Sequence, residues 1–122
     1  MVPLGCSGKG SRPTEYVVEP APVVAAEAHA TGERLYGERC ARCHGPHGAG
    51  DGPEAASVHP RPQRLTDRVW QANVNNARLR KVLVYGGGAV GKSPVMPGFA
   101  DLAQQPEALD GLVALIRSFA AP

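Results

Sequence analysis

Three residues set the chemistry open to this chain: Cys40, Cys43 and His44. They stand in Cys40-Ala41-Arg42-Cys43-His44, a C-x-x-C-H run with the spacing of c-type haem attachment. The spacing has a mechanical basis. Thiols at i and i+3 lie about one helical turn apart. Both can reach the vinyl groups of one macrocycle and add across them as thioethers. The next residue falls beneath the ring, where an imidazole nitrogen can bind iron. Two rivals use the same atoms. A redox disulfide would need a βαβ context, which the flanking residues lack. Zinc could take Cys40, Cys43, His44 and His47, four ligands of suitable type.

A haem iron that only carries electrons needs a sixth ligand that keeps substrates out. Met96 is the one methionine besides Met1, and it sits in Ser93-Pro94-Val95-Met96-Pro97-Gly98-Phe99. A lone methionine is ordinarily core filler. Here the flanking prolines stiffen a loop that would hold the sulfur at a fixed place, and zinc leaves that loop unexplained. His29, His47 and His59 are alternative iron ligands, each better read as an ordinary loop histidine. Arg61, Arg64 and Arg68 crowd one stretch. They suit a haem propionate, an acidic partner or simple solvation.

These residues need scaffolding. The chain has 122 residues, enough for one small domain, and only 5% are aromatic, so an apolar cofactor would add to a thin core. The net charge of +2 is too mild to argue for nucleic acid. No apolar stretch reaches the length of a membrane span. Residues 1–29 read as a flexible Pro/Ala-rich tether, with Pro13, Pro20 and Pro22 opposing helix. Residues 30–122 read as the folded domain. A first helix is expected from near Thr31, running through Leu35, Tyr36 and Arg39 into the cysteine pair and stopping at Gly45-Pro46. Residues 45–67 read as a long Gly/Pro loop. A second helix is expected over about 75–85, capped by Asn75 or Asn76 and stopped by Gly86. Pro106 suits the first turn of a last helix, with Leu109, Leu112, Val113, Ile116 and Phe119 on one face. Strand signals are weak, so the expected class is all-α.

Gly86-Gly87-Gly88-Ala89-Val90-Gly91-Lys92-Ser93 satisfies the phosphate-loop pattern G-x-x-x-x-G-K-[ST]. Pro94 and Pro97 oppose the helix that must follow it, and too little chain remains for a parallel sheet. The glycines read instead as a place where backbone passes close to the haem edge.

Taken in order, these pieces resemble the class I c-type cytochromes, single-haem electron carriers, over about residues 31–120. Gly32 and Tyr36 resemble the family's residues where first and last helices cross. Cys40, Cys43 and His44 match its attachment motif, Gly45 to Pro53 its following loop, Met96-Pro97 and Phe99 its distal loop, and Leu112 to Phe119 its closing helix. The resemblance implies a small cytochrome c fold of about three main helices, with long loops wrapping one covalent haem c. It implies His44 and Met96 as axial ligands. It also implies a proline carbonyl, from Pro60 or Pro62 and preferably Pro62, on the other ring nitrogen of His44.

The implied role is single-electron transfer with redox partners of a respiratory or photosynthetic chain, as a free carrier or as a subunit of an oxidoreductase complex. The implied location is periplasmic or outward-facing. Pro3-Leu4-Gly5-Cys6 resembles the end of a bacterial lipoprotein signal, so Cys6 is a candidate lipid anchor at a membrane. A haem sensor or peroxidase-like enzyme with a dissociable Met96 is the rival function.

Overall fold

The computed structural model describes residues 16–120. Cys6 and the expected tether before residue 16 lie outside that range. Among the described residues five helices follow in order: α1 (Ala26–Arg39), α2 (Ala41–His44), α3 (Arg68–Asn73), α4 (Asn76–Tyr85) and α5 (Pro106–Ser118). Short 3₁₀ turns cover Ala55–Ser57, Gly87–Val90 and Ala100–Gln104. There is no strand among the described residues. None of the described helices is long and apolar enough to cross a membrane.

The frame is the crossing of α1 with α5. Gly32 and Gly111 meet there. A Cβ on Gly32 would lie 2.5 Å from the Gly111 carbonyl carbon, and one on Gly111 would strike the Ala28 carbonyl oxygen. Only glycine lets the two backbones come this close. Leu35, Tyr36, Leu109, Leu112, Val113 and Ile116 fill the seam and are all buried. The α5 face read from three- and four-residue spacing is therefore the core face, and Phe119 joins it half-buried. Phe119 lies 5.3 Å from the Tyr36 ring, tilted at 54°. Such a tilted pair adds modestly to its burial.

A buried cation joins the remaining elements. The Arg117 side chain is 2% exposed. Its Nε donates to Asn76 Oδ1 at 2.8 Å, and its Nη atoms donate to the carbonyls of Gln71 and Val74 at 2.8 and 2.6 Å. Gln71, fully buried, passes the tie on to the Leu65 carbonyl at 2.8 Å and the Ile116 carbonyl at 2.9 Å. A buried guanidinium is tolerated when its donors are satisfied in this way. The connection between α3 and α4 is thereby fixed to α5.

Several boundaries follow local chemistry. Asn75 caps α4, accepting from Arg78 N at 2.7 Å, and Gly86 ends it at φ +90. Pro106 opens α5. Others differ from expectation. Helix α1 begins at Ala26, five residues before Thr31, with no side-chain cap. Burial of Ala28 and Gly32 against α5 outweighs the capping preference at Thr31. Helix α3 was not expected. Its signal is Asp67, whose carboxylate accepts from Val69 N and Trp70 N at 2.9 and 3.2 Å.

The packed unit also starts before residue 30. Glu19 Oε1 accepts from Asn76 N at 2.7 Å, and the Pro20 carbonyl accepts from Asn76 Nδ2 at 2.9 Å. Glu19 also lies 3.8 Å from Arg117. These contacts pin the segment before α1 on the start of α4.

Candidate haem-binding site

The expected attachment residues sit on a single tight turn. Cys40 leaves the helical path at φ −120, ψ −39, which separates α1 from α2. Its carbonyl then accepts from Cys43 N at 3.1 Å and His44 N at 2.9 Å. Both thiols are free; Cys40 is buried and Cys43 half-buried. Burial pushes the Cys40 thiol up to about 11, against the opposing pull of Arg39, so it stays neutral. A disulfide between the two is not formed.

His44 is oriented from behind. Its Nδ1 stands 2.9 Å from the Gln63 carbonyl oxygen. A carbonyl only accepts, so Nδ1 carries the proton and Nε2 keeps its lone pair. Burial lowers the imidazole pKa, with the Gln63 carbonyl opposing. The neutral form, the one that can bind metal, is thereby favoured. The accepting carbonyl belongs to Gln63 and not to Pro62 or Pro60. The loop register explains the shift. Leu65 N donates to the Gly48 carbonyl at 2.7 Å, while the Pro62 carbonyl lies 3.4 Å from where a Gly50 Cβ would stand. Pro62 thus faces Gly50, and the next carbonyl reaches the ring.

Met96 lies on the other loop. It is half-buried against the same apolar cluster that contains Cys40, a cluster on which Phe99, Trp70 and Phe119 also pack. Its backbone is held by Gly87 N, which donates to the Met96 carbonyl at 3.1 Å. Phe99 N donates to the Leu83 carbonyl at 2.9 Å and returns the loop to α4. Gly98 makes this approach possible, since a Cβ there would lie 2.5 Å from the Tyr85 carbonyl carbon. The structure therefore brings Cys40, Cys43 and His44 onto one turn and Met96 onto the cluster that Cys40 enters.

The donors are two thiols, an imidazole and a thioether, with half-covered apolar side chains around them. That set fits a haem c. Residues 27–116 match the family model described as cytochrome c oxidase, cbb3-type, subunit III. This chain belongs to that family of c-type cytochromes. No curated protein matches the cytochrome. Among solved structures, a chain of the reducing HAO-like protein complex of Kuenenia stuttgartiensis is similar, with a TM-score of 0.59 and 22% identity. The match covers 84% of the cytochrome and 45% of that chain, so the cytochrome spans less than half its length. At this identity the likeness speaks for the fold alone. The cytochrome has the small class I fold, and its family implies haem c and haem-based electron transfer.

The competing readings of these residues fail on geometry. Among the described residues, no three His, Cys, Asp or Glu side chains gather to hold a metal ion, so the Cys40, Cys43, His44 and His47 quartet is not assembled for zinc. In the phosphate-loop pattern several of the amides are already used. Gly87 N goes to Met96 O, Ala89 N to Gly86 O, Gly91 N to Gly88 O and Lys92 N to Gly87 O. No helix opens at Ser93, so there is no nest for a phosphate. Arg61 and Arg64 are exposed, whereas Arg68 donates to the Ala120 carbonyl. Two surface clefts, one beside Thr31 and Pro106 and one beneath Val18 to Pro22, do not include the cysteine turn.

Proposed function

We propose that this cytochrome is a single-electron carrier holding one covalent haem c through Cys40 and Cys43, with His44 and Met96 as axial ligands. The observation that carries the proposal is His44. It follows two free thiols, and its Nδ1 is already committed to the Gln63 carbonyl at 2.9 Å, leaving Nε2 as the only ring donor. The haem, when bound, supplies the one-electron Fe(III)/Fe(II) couple.

The chain's residues tune that couple. The Met96 thioether is a soft, neutral donor and favours the reduced metal. The Gln63 carbonyl makes His44 a better donor and stops the ring from rotating. The apolar cluster on which Met96 packs would shield one side of a bound haem from water, which disfavours the more highly charged ferric form. With His44 and Met96 both holding the iron, no site would remain for oxygen or peroxide. That arrangement suits a carrier better than a sensor or peroxidase. Cys40 is buried and Cys43 is half-buried, so the Cys43 side is open to a partner.

The reading extends to place and partners. The cytochrome works outside the cytoplasm, with redox partner proteins of a respiratory or photosynthetic chain, as a carrier or as a subunit of an oxidoreductase complex. A lipid on Cys6 would keep it at the membrane surface.

The test is spectroscopic. Protein from a strain that attaches c-type haem should keep its haem on a denaturing gel. The ferric form should show the near-infrared band of Met-to-ferric ligation. A high-spin ferric spectrum with rapid cyanide binding would overturn the carrier assignment in favour of the enzyme or sensor.

A further inference from the structure

We propose that Arg39 and Asp101 form a clamp that holds the Met96 loop closed, making both positioning residues for the distal ligand. This role rests on Met96 being that ligand. Arg39 is the last residue of α1 and directly precedes Cys40. Asp101 lies in the 3₁₀ turn Ala100–Gln104, on the return leg of the Met96 loop. The two are 62 residues apart in sequence, yet the guanidinium meets the carboxylate in a two-pronged fork. Nη1 lies 3.0 Å from Oδ1 and Nη2 3.0 Å from Oδ2. The same guanidinium sits over the Phe99 ring, 5.3 Å from its centre. One cation therefore grips the loop at two points, Phe99 and Asp101. The hydrogen bond from Arg39 holds the Asp101 carboxyl below its ordinary range, so the pair stays charged at neutral pH.

What distinguishes the contact is where it leads. Among the described residues, the other hydrogen bonds of the loop and the turn after it run to α4 or stay local. Phe99 N goes to Leu83 O, Gly87 N to Met96 O and Leu102 N to Phe99 O, while Arg78 donates to Val90 O. The Arg39–Asp101 fork alone ties this stretch by hydrogen bonding to the helix that ends at the attachment cysteines. It joins the two sides of the haem site through protein. Arg39 is 28% and Asp101 47% exposed, so solvent screens the pair and it adds little to global stability. A small bias still shifts a loop between closed and open states by a measurable factor.

Imidazole binding to the ferric holoprotein reads that factor, because imidazole competes with Met96 and its apparent affinity follows the open fraction. Arg39→Gln and Asp101→Asn should each tighten imidazole binding about threefold. Arg39→Lys should fall between them and the parent, since lysine keeps the charge but lacks the fork. The double variant R39Q/D101N should match the singles and not their product, because the two residues act as a unit. The guanidinium midpoint of the helices, followed by circular dichroism, should stay close to the parent's.

The clamp is overturned if both single variants bind imidazole like the parent. It is also overturned if their effects multiply in the double variant, or if affinity changes only in step with the helix midpoint. A parent protein lacking the near-infrared Met band would overturn the Met96 assignment itself, and the clamp's role with it.

Discussion

The two flanks of the haem site are built to different standards. The proximal flank, from Cys40 to Glu54, is knitted to itself. Gly50 N donates to His44 O at 2.8 Å, Gly52 N to Cys43 O at 3.2 Å and Glu54 N to Arg42 O at 2.8 Å. The Tyr36 hydroxyl donates to the Gly45 carbonyl at 2.5 Å, and the Gln63 carbonyl locks His44 from outside. The distal flank, Gly86 to Asp101, hangs from α4 by a few bonds and from α1 by one exposed fork. Its tip is open, with Val95 54% and neighbouring Tyr85 68% exposed. Regions with fewer buried contacts open at lower free-energy cost. If His44 and Met96 hold the iron as proposed, ligand exchange belongs to the methionine side. The histidine side would then have to be in place before the cofactor arrives, because thioether formation at Cys40 and Cys43 would depend on its turn.

Breaking the attachment should have the largest effect. The double variant Cys40→Ser, Cys43→Ser should retain no haem after acid-acetone extraction, and a surviving haem band on a denaturing gel would contradict thioether attachment there. Breaking the distal flank should be milder. Met96→Ala should keep the haem but lower its potential by roughly 0.1 V or more, a fraction of the about 0.8 V that axial ligands span; protein-film voltammetry checks this, and an unchanged potential rejects Met96. Gly98→Ala sharpens the contrast. Its Cβ would press on the Tyr85 carbonyl carbon at 2.5 Å, so we expect a loss of about 1–3 kcal/mol in denaturant titration and a weakened Met-to-ferric band.

Tyr36→Phe probes the proximal flank instead. It removes one of two hydrogen bonds to the buried Gly45 carbonyl, the one from Gly48 N at 3.2 Å remaining, and should cost about 0.5–1.5 kcal/mol, with the Met band unchanged. A bleached Met band in that variant would show that the flanks are not separable. The smallest effect is expected outside both flanks. Glu19→Gln loosens the segment before α1 and should cost under about 1 kcal/mol by urea titration, leaving the visible spectrum as it was.

Much of the site was legible because its signals are local. The i, i+3 thiols, the histidine after them and a methionine between prolines are patterns within a few residues. The Asn75 cap, the Gly86 stop and Pro106 opening α5 follow from side chains acting on the nearest backbone. Asp67 before α3 was a signal of the same kind, though it stands at the end of a proline-rich stretch that reads as loop. Gln63 was out of reach for a different reason. Its role is played by a backbone carbonyl, and every residue carries one, so no side chain marks which carbonyl turns to His44.

The amino-acid sequence alone determined the chemistry: two thiols, an imidazole and a thioether at spacings that suit one macrocycle, on an all-α chain. Those choices depend on contacts within a turn or two of helix. Tertiary structure decided where α1 begins, because Ala28 and Gly32 gain more by burial against α5 than Thr31 gains by capping. It decided that Arg117, although charged, would be buried as the tie between α4 and α5. It also decided that Arg39 would find Asp101 across 62 residues. Such partners meet only after the chain has closed its loops, and nothing in their local spacing announces the meeting.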